Sequence, residues 1–145
     1  MKKLLSLSLL CMVSFSFSQN YPNQIIKDST SISGIVSLNE AIDFDGVEVK
    51  FKEVIKDSRC PKTVMCVRAG EAEIIVSIFK NGEFIKDQRV IIDASGLVVE
   101  KNNLVLKSED YEIYGFSLSP YPTSPKEISG ELYSLELVYR SIVER

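Results

Sequence analysis

The sequence predicts an all-β fold, an antiparallel β-sandwich or small barrel of about eight strands with one disulfide. Three observations lead there. Apolar and polar residues alternate in one short run after another; turn-forming pairs such as Asp45-Gly46 and Asn81-Gly82 separate the runs; and no segment sustains apolar residues at i, i+3, i+4 and i+7. At 145 residues and 45% hydrophobic content, the chain is long enough for one domain with its own core.

Along the chain, Ile42 and Phe44 lead into Asp45-Gly46, and Val47, Val49 and Phe51 lead out. An Asp-Gly pair accepts the positive φ that both central residues of a tight hairpin need, so a hairpin is expected. Ser37-Leu38-Asn39-Glu40 spells a helix capping box, but no helical period follows, and no helix is expected there. Ile74, Val76 and Ile78 run up to Asn81-Gly82, the preferred type I′ turn, and residues 84–92 return. Two further runs, 97–100 and 104–107, flank Lys101-Asn102-Asn103. Tyr114, Phe116 and Leu118 form one alternating face, and Tyr133, Leu135, Leu137 and Tyr139 another. Between them lies Pro120-Tyr121-Pro122-Thr123-Ser124-Pro125, whose prolines exclude a central strand and predict a surface crossover.

The N-terminus reads as a signal peptide over residues 1–18. Lys2 and Lys3 are basic, Leu4 to Phe17 is apolar apart from serines, and Ser16 and Ser18 place small residues where a signal peptidase reads. Residues 19–30 read as a polar leader and 31–145 as the β-domain. The expected location is therefore outside the cytoplasm, periplasmic or secreted, with no transmembrane segment in the mature chain. Leu10 before Cys11 departs from the small residue of a lipoprotein signal, which argues against a lipid anchor at Cys11. Removing residues 1–18 takes two lysines and no acid, so a formal charge of −3 becomes −5. A nucleic-acid partner would ask for a basic face, and none is expected.

Two cysteines remain after cleavage, Cys60 and Cys66, and an oxidising compartment pairs them. Redox pairs favour two intervening residues, and two thiolates without histidine cannot complete a tetrahedral zinc site. The chain has no histidine at all, which removes the commonest general base and metal ligand. No catalytic residue, metal or cofactor is assigned. Ser–Lys chemistry or a carboxylate pair (Asp43 with Asp45, or Glu109 with Asp110) is the remaining route to a hydrolase, and these acids sit in turns where acids are ordinary. Asp43, Asp45 and Glu48 match no defined calcium loop.

The densest segment runs from Asp57 to Ala72. Asp57 and Ser58 suit an Asx- or Ser-type turn, and Arg59 suits a bidentate carboxylate partner, Asp57 or Glu71. Pro61 fixes φ after the first cysteine, and Gly70 allows a positive φ or bulge before the next strand. With Asp57-Ser58-Arg59-Cys60-Pro61, the second cysteine, and Ala69-Gly70-Glu71-Ala72, the chain resembles an uncharacterised family of small exported or lipid-anchored bacterial β-proteins. The resemblance extends from about Ser31 to the C-terminus and takes in Ser119-Pro120-Tyr121-Pro122 and the Tyr133 strand. It implies no activity. The chain departs from the pattern at Arg68, where the family carries an aromatic, so an aromatic recognition surface is not implied at that place.

The function expected is a non-catalytic binding or accessory module of the cell envelope, presenting its disulfide-closed loop to a protein, glycan or lipid. Lys62, Met65, Arg68 and Tyr121 are the candidate contact residues. The alternative is a protease inhibitor that offers Lys62 or Met65 from the same loop.

Overall fold

The computed structural model describes residues 26–28, 31–94 and 102–142. The expected signal peptide, Cys11 and the run 97–100 lie outside these residues. Among them are nine strands: β1 (Ile26–Asp28), β2 (Ser31–Ser37), β3 (Ala41–Phe44), β4 (Val47–Asp57), β5 (Glu71–Lys80), β6 (Glu83–Asp93), β7 (Leu104–Lys107), β8 (Tyr111–Ser119) and β9 (Ser134–Ser141). They form two antiparallel sheets, ordered β1-β2-β9-β8-β7 and β3-β4-β5-β6. The choice between barrel and sandwich thus falls to the sandwich. The ninth strand, β1, occupies part of the segment read as leader and pairs Ile26 to Ser33 on the edge of the first sheet.

Period-two patterning sets the core. Val47, Val49 and Phe51 of β4 and Ala72, Ile74, Val76 and Ile78 of β5 are buried, and they face Leu135, Leu137 and Ile113 of the other sheet. Both glycine turns form as their sequences require: Asp45 and Gly46 have φ of 55° and 82°, and Asn81 and Gly82 have 52° and 81°. Leu38 and Asn39 make a turn rather than a helix start. Tyr139 stacks between Phe44 and Tyr111, with ring centroids 5.9 and 5.2 Å away, and closes one edge of the core.

One alternating run does not keep its face. Alternation places Tyr114, Phe116 and Leu118 on one face, but a bulge falls between Gly115 and Ser117 and leaves Phe116 unpaired. The extra residue reverses the parity. Ile113 and Leu118 point into the core, Tyr114 lies outside the core cluster, and Phe116 is 49% exposed. Two bulges also interrupt β4, between Phe51 and Glu53 and between Val54 and Lys56, in the half that leads to the disulfide corner.

Candidate functional site

The corner at the end of β4 is a thirteen-residue excursion closed at its base by backbone pairing. The Ser58 amide donates to the Glu71 carbonyl at 2.9 Å and the Ser58 hydroxyl donates to it at 2.8 Å, while the Cys60 amide donates to the Ala69 carbonyl at 2.7 Å. Gly70 makes this closure feasible. Its φ is +76°, and a Cβ placed there would lie 2.0 Å from the Ser58 carbonyl oxygen. Ser58 therefore staples the two ends of the loop together instead of forming a local turn. Asp57 does form the turn, since its Oδ1 accepts the Arg59 amide at 3.2 Å.

Arg59 is the centre of the corner and is only 4% exposed. Its partner is Asp57, not Glu71: Nε donates to Oδ1 at 2.8 Å and one terminal nitrogen donates to Oδ2 at 2.6 Å. The remaining donors reach the end of β8, at the Leu118 carbonyl, and the crossover after it, at the Pro120 carbonyl 2.9 Å away. The hydroxyl of Tyr133 donates to the same Asp57 carboxylate at 2.9 Å. Five residues from three stretches of the chain, 57–59, 118–120 and 133, thus meet at one ion pair. Glu71 lies exposed at the rim, and its contribution to the corner is its backbone.

The electrostatics follow. Burial pushes the Asp57 carboxyl up, but the hydrogen bonds and charge of Arg59, with the Tyr133 hydroxyl and the Arg59 amide, hold it below its usual range. Burial and the adjacent carboxylate push the Tyr133 hydroxyl up to about 12. Neither group is poised to exchange a proton near neutral pH, and the cluster reads as architecture.

The bridge Cys60–Cys66 forms, with Cα atoms 6.0 Å apart. The first half of its loop lies against the crossover. The Lys62 amide donates to the Pro122 carbonyl at 3.1 Å, the Thr63 hydroxyl donates to the Thr123 carbonyl at 2.7 Å, and the Val64 amide closes a turn on the Pro61 carbonyl at 3.1 Å. Tyr121, a candidate contact residue, is half-buried and already engaged. Arg59 and Lys62 lie 5.1 and 5.7 Å from its ring centre, and its hydroxyl donates to the Cys60 carbonyl at 2.9 Å. The second half of the loop is free of the body. Met65 and Val67 are 99% and 104% exposed, Val64 is 44% exposed, and Arg68 is exposed beside them.

Two clefts flank the corner. One of about 560 Å³ lies between the bulged end of β4 and the crossover, lined by Val54, Lys56, Asp57, Pro122, Ile128 and Tyr133. The other, about 510 Å³, is bordered by Lys56, Arg68, Glu71 and Asp93, charges of both signs.

Two of the other acidic candidates, Asp43 and Asp110, have structural work. Asp43 Oδ1 accepts the Gly46 amide at 3.1 Å and caps its hairpin turn. Glu109 and Asp110 sit exposed in the turn before β8, where the Asp110 carbonyl accepts the Ile142 amide at 2.7 Å. Among the described residues no group of three or more His, Cys, Asp or Glu is placed to hold a metal ion, and no helix is long and apolar enough to cross a membrane.

A second cluster went unsignalled in the sequence. Glu112, 7% exposed, accepts Lys107 Nζ at 2.6 Å, a terminal nitrogen of Arg140 at 2.7 Å, and the Tyr114 hydroxyl. The three donors, Lys107 foremost, hold its carboxyl down at about 2. The register opposes Glu112 to Lys107 and to Arg140 on neighbouring strands, so it braces the outer face of one sheet. Compared with protein-family models, curated proteins and solved structures, the chain matches none.

Proposed function

We propose that the protein is an exported, non-catalytic binding or accessory module of the cell envelope, and that it meets its partner through residues 62–69. The observation that carries this reading is the division of labour within the corner. Arg59, Asp57, Tyr133 and the bridge anchor the loop, and the loop then presents Met65 and Val67 wholly to solvent. A preorganised loop loses little ordering entropy on binding, and among the described residues no other large apolar side chain is as exposed as Met65 and Val67. The resemblance to small exported β-proteins agrees with this placement.

The test compares wild type with Met65→Ser/Val67→Ser for retention on isolated membrane, cell-wall and soluble envelope fractions. Retention on one fraction that the double variant loses is expected. Equal behaviour of the two proteins on every fraction would overturn the proposal.

The inhibitor reading now narrows to Met65. Lys62 is held by the Pro61–Val64 turn and by Tyr121, while Met65 stands free next to the bridge. Inhibition of a chymotrypsin- or subtilisin-like enzyme, abolished by Met65→Gly, would support it; absence of inhibition removes it.

A further inference from the structure

We infer that the loop tip docks on a lipid surface carrying anionic headgroups, with Val64, Met65 and Val67 entering the interface and Lys62 and Arg68 resting among the headgroups. The inference rests on the reading of this loop as the contact surface and names its partner.

Shape is the first argument. The exposed apolar side chains follow Lys62 and Thr63, the two loop residues bonded to the crossover, and the cleft beside them carries the charges of Lys56, Arg68, Glu71 and Asp93. A stable protein partner needs a contiguous face of roughly 800 Å² on each side. A bilayer interface asks for much less, because the acyl boundary is soft and closes around a short apolar projection.

Charge is the second. The chain carries a formal charge of −3, yet no Asp or Glu occurs between Asp57 and Glu71, while Arg59, Lys62 and Arg68 do. Asp57 neutralises the buried Arg59, and of the two exposed cations left on the loop Arg68 follows Val67 in the chain, while Lys62 precedes Val64 and rests 5.7 Å from the Tyr121 ring centre with its ammonium still open to solvent. Basic side chains flanking an apolar tip match the negative surface potential of anionic lipid, and their aliphatic stems tolerate the boundary. Rigidity is the third. The Cys60–Cys66 bridge and the bonds of Lys62 and Thr63 to the crossover fix the base of the loop, so the tip enters without first being ordered.

The experiment uses protein expressed with its own N-terminal segment, so that every variant carries the same processed N-terminus, and sediments it with phosphatidylcholine vesicles or with equimolar phosphatidylcholine–phosphatidylglycerol vesicles. Wild type is expected to bind the anionic vesicles and to release as salt rises. Met65→Ser/Val67→Ser should weaken binding about tenfold or more, and Lys62→Gln/Arg68→Gln should weaken binding to the anionic vesicles alone, by several-fold. The chain has no tryptophan, so Val67→Trp is a clean reporter. Its emission should shift to the blue on the anionic vesicles, and that of Glu83→Trp, beside the far hairpin turn, should not.

Equal sedimentation of wild type and both double variants would overturn the inference. So would a Val67→Trp emission that vesicles leave unchanged. If vesicles fail while retention on an envelope fraction still depends on Met65 and Val67, the lipid assignment falls and the binding-module reading stands. If both fail, both fall.

Discussion

The Asp57 and Glu112 clusters use the same chemistry to different ends. Each joins a carboxylate, an arginine and a tyrosine hydroxyl within hydrogen-bond distance. In the corner the arginine side chain is 2% exposed and its remaining donors reach main-chain carbonyls at the end of β8 and in the crossover. On the sheet face the cations are open to solvent, at 47% for Arg140 and 63% for Lys107, and they share one glutamate. The first cluster joins segments that no strand ladder pairs. The second reinforces strands that the backbone ladder already pairs. Position in the fold, rather than the kind of residue, decides how much each is worth.

Breaking the two arginines makes that contrast measurable. Arg59→Met is expected to cost about 3–5 kcal/mol, because it leaves a buried carboxylate without its cation and two carbonyls without donors. Arg140→Met should cost no more than about 1 kcal/mol, since the pair is open to water and Lys107 still faces Glu112. Urea unfolding midpoints of the two variants check this directly. Comparable losses would mean that burial does not separate the clusters.

Covalent closure comes next. Replacing both Cys60 and Cys66 by serine should cost about 2 kcal/mol, the loop entropy a short ring removes from the unfolded chain. A loss larger than that of Arg59→Met would show that the bridge, not the ion pair, holds the corner. The tyrosines follow. Tyr133→Phe removes a buried donor to a charged acceptor and should cost about 1.5 kcal/mol, whereas Tyr114→Phe should cost less than about 1 kcal/mol because two cations still serve Glu112. A thermal-melting comparison of the two Phe variants suffices, and the reverse order would sink the contrast.

How much of this could be read in the sequence follows from the range of each interaction. Asp45-Gly46 and Asn81-Gly82 are local, and both hairpins form where those pairs stand. Asp57 and Arg59 are two residues apart, so a bidentate pair was legible, though Glu71 looked equally suitable until the chain closed through its backbone. The rest of the corner was not legible. Leu118, Pro120 and Tyr133 lie some sixty or more residues away, and nothing in a linear pattern assigns them to one guanidinium. Phe116 was misplaced because a bulge leaves alternation intact in the sequence while reversing it in space. Glu112 was missed because its partners sit on three different strands. The free tip of the disulfide loop was legible only as a loop. Which of its residues are tied down depends on the distant Pro122 and Thr123, whose carbonyls accept the Lys62 amide and the Thr63 hydroxyl.

The smallest expected effect concerns acid. Glu112 titrates at about 2 in the folded protein against 4.5 ordinarily, so the folded state takes up this proton less readily than the unfolded chain. Its contribution to stability is therefore complete above the ordinary glutamate range and is lost as pH falls through about 2. Glu112→Gln mimics the protonated side chain. It should be slightly less stable than wild type at neutral pH, and the two stability curves should converge as pH falls toward about 2. Asp57 and Asp87, also held low, remain in both proteins and cancel in the difference. A gap between the curves that stays constant across the acid range would show that Glu112 acts through packing and not through its charge. The sheet-face cluster would then resemble the corner more closely than its exposure implies.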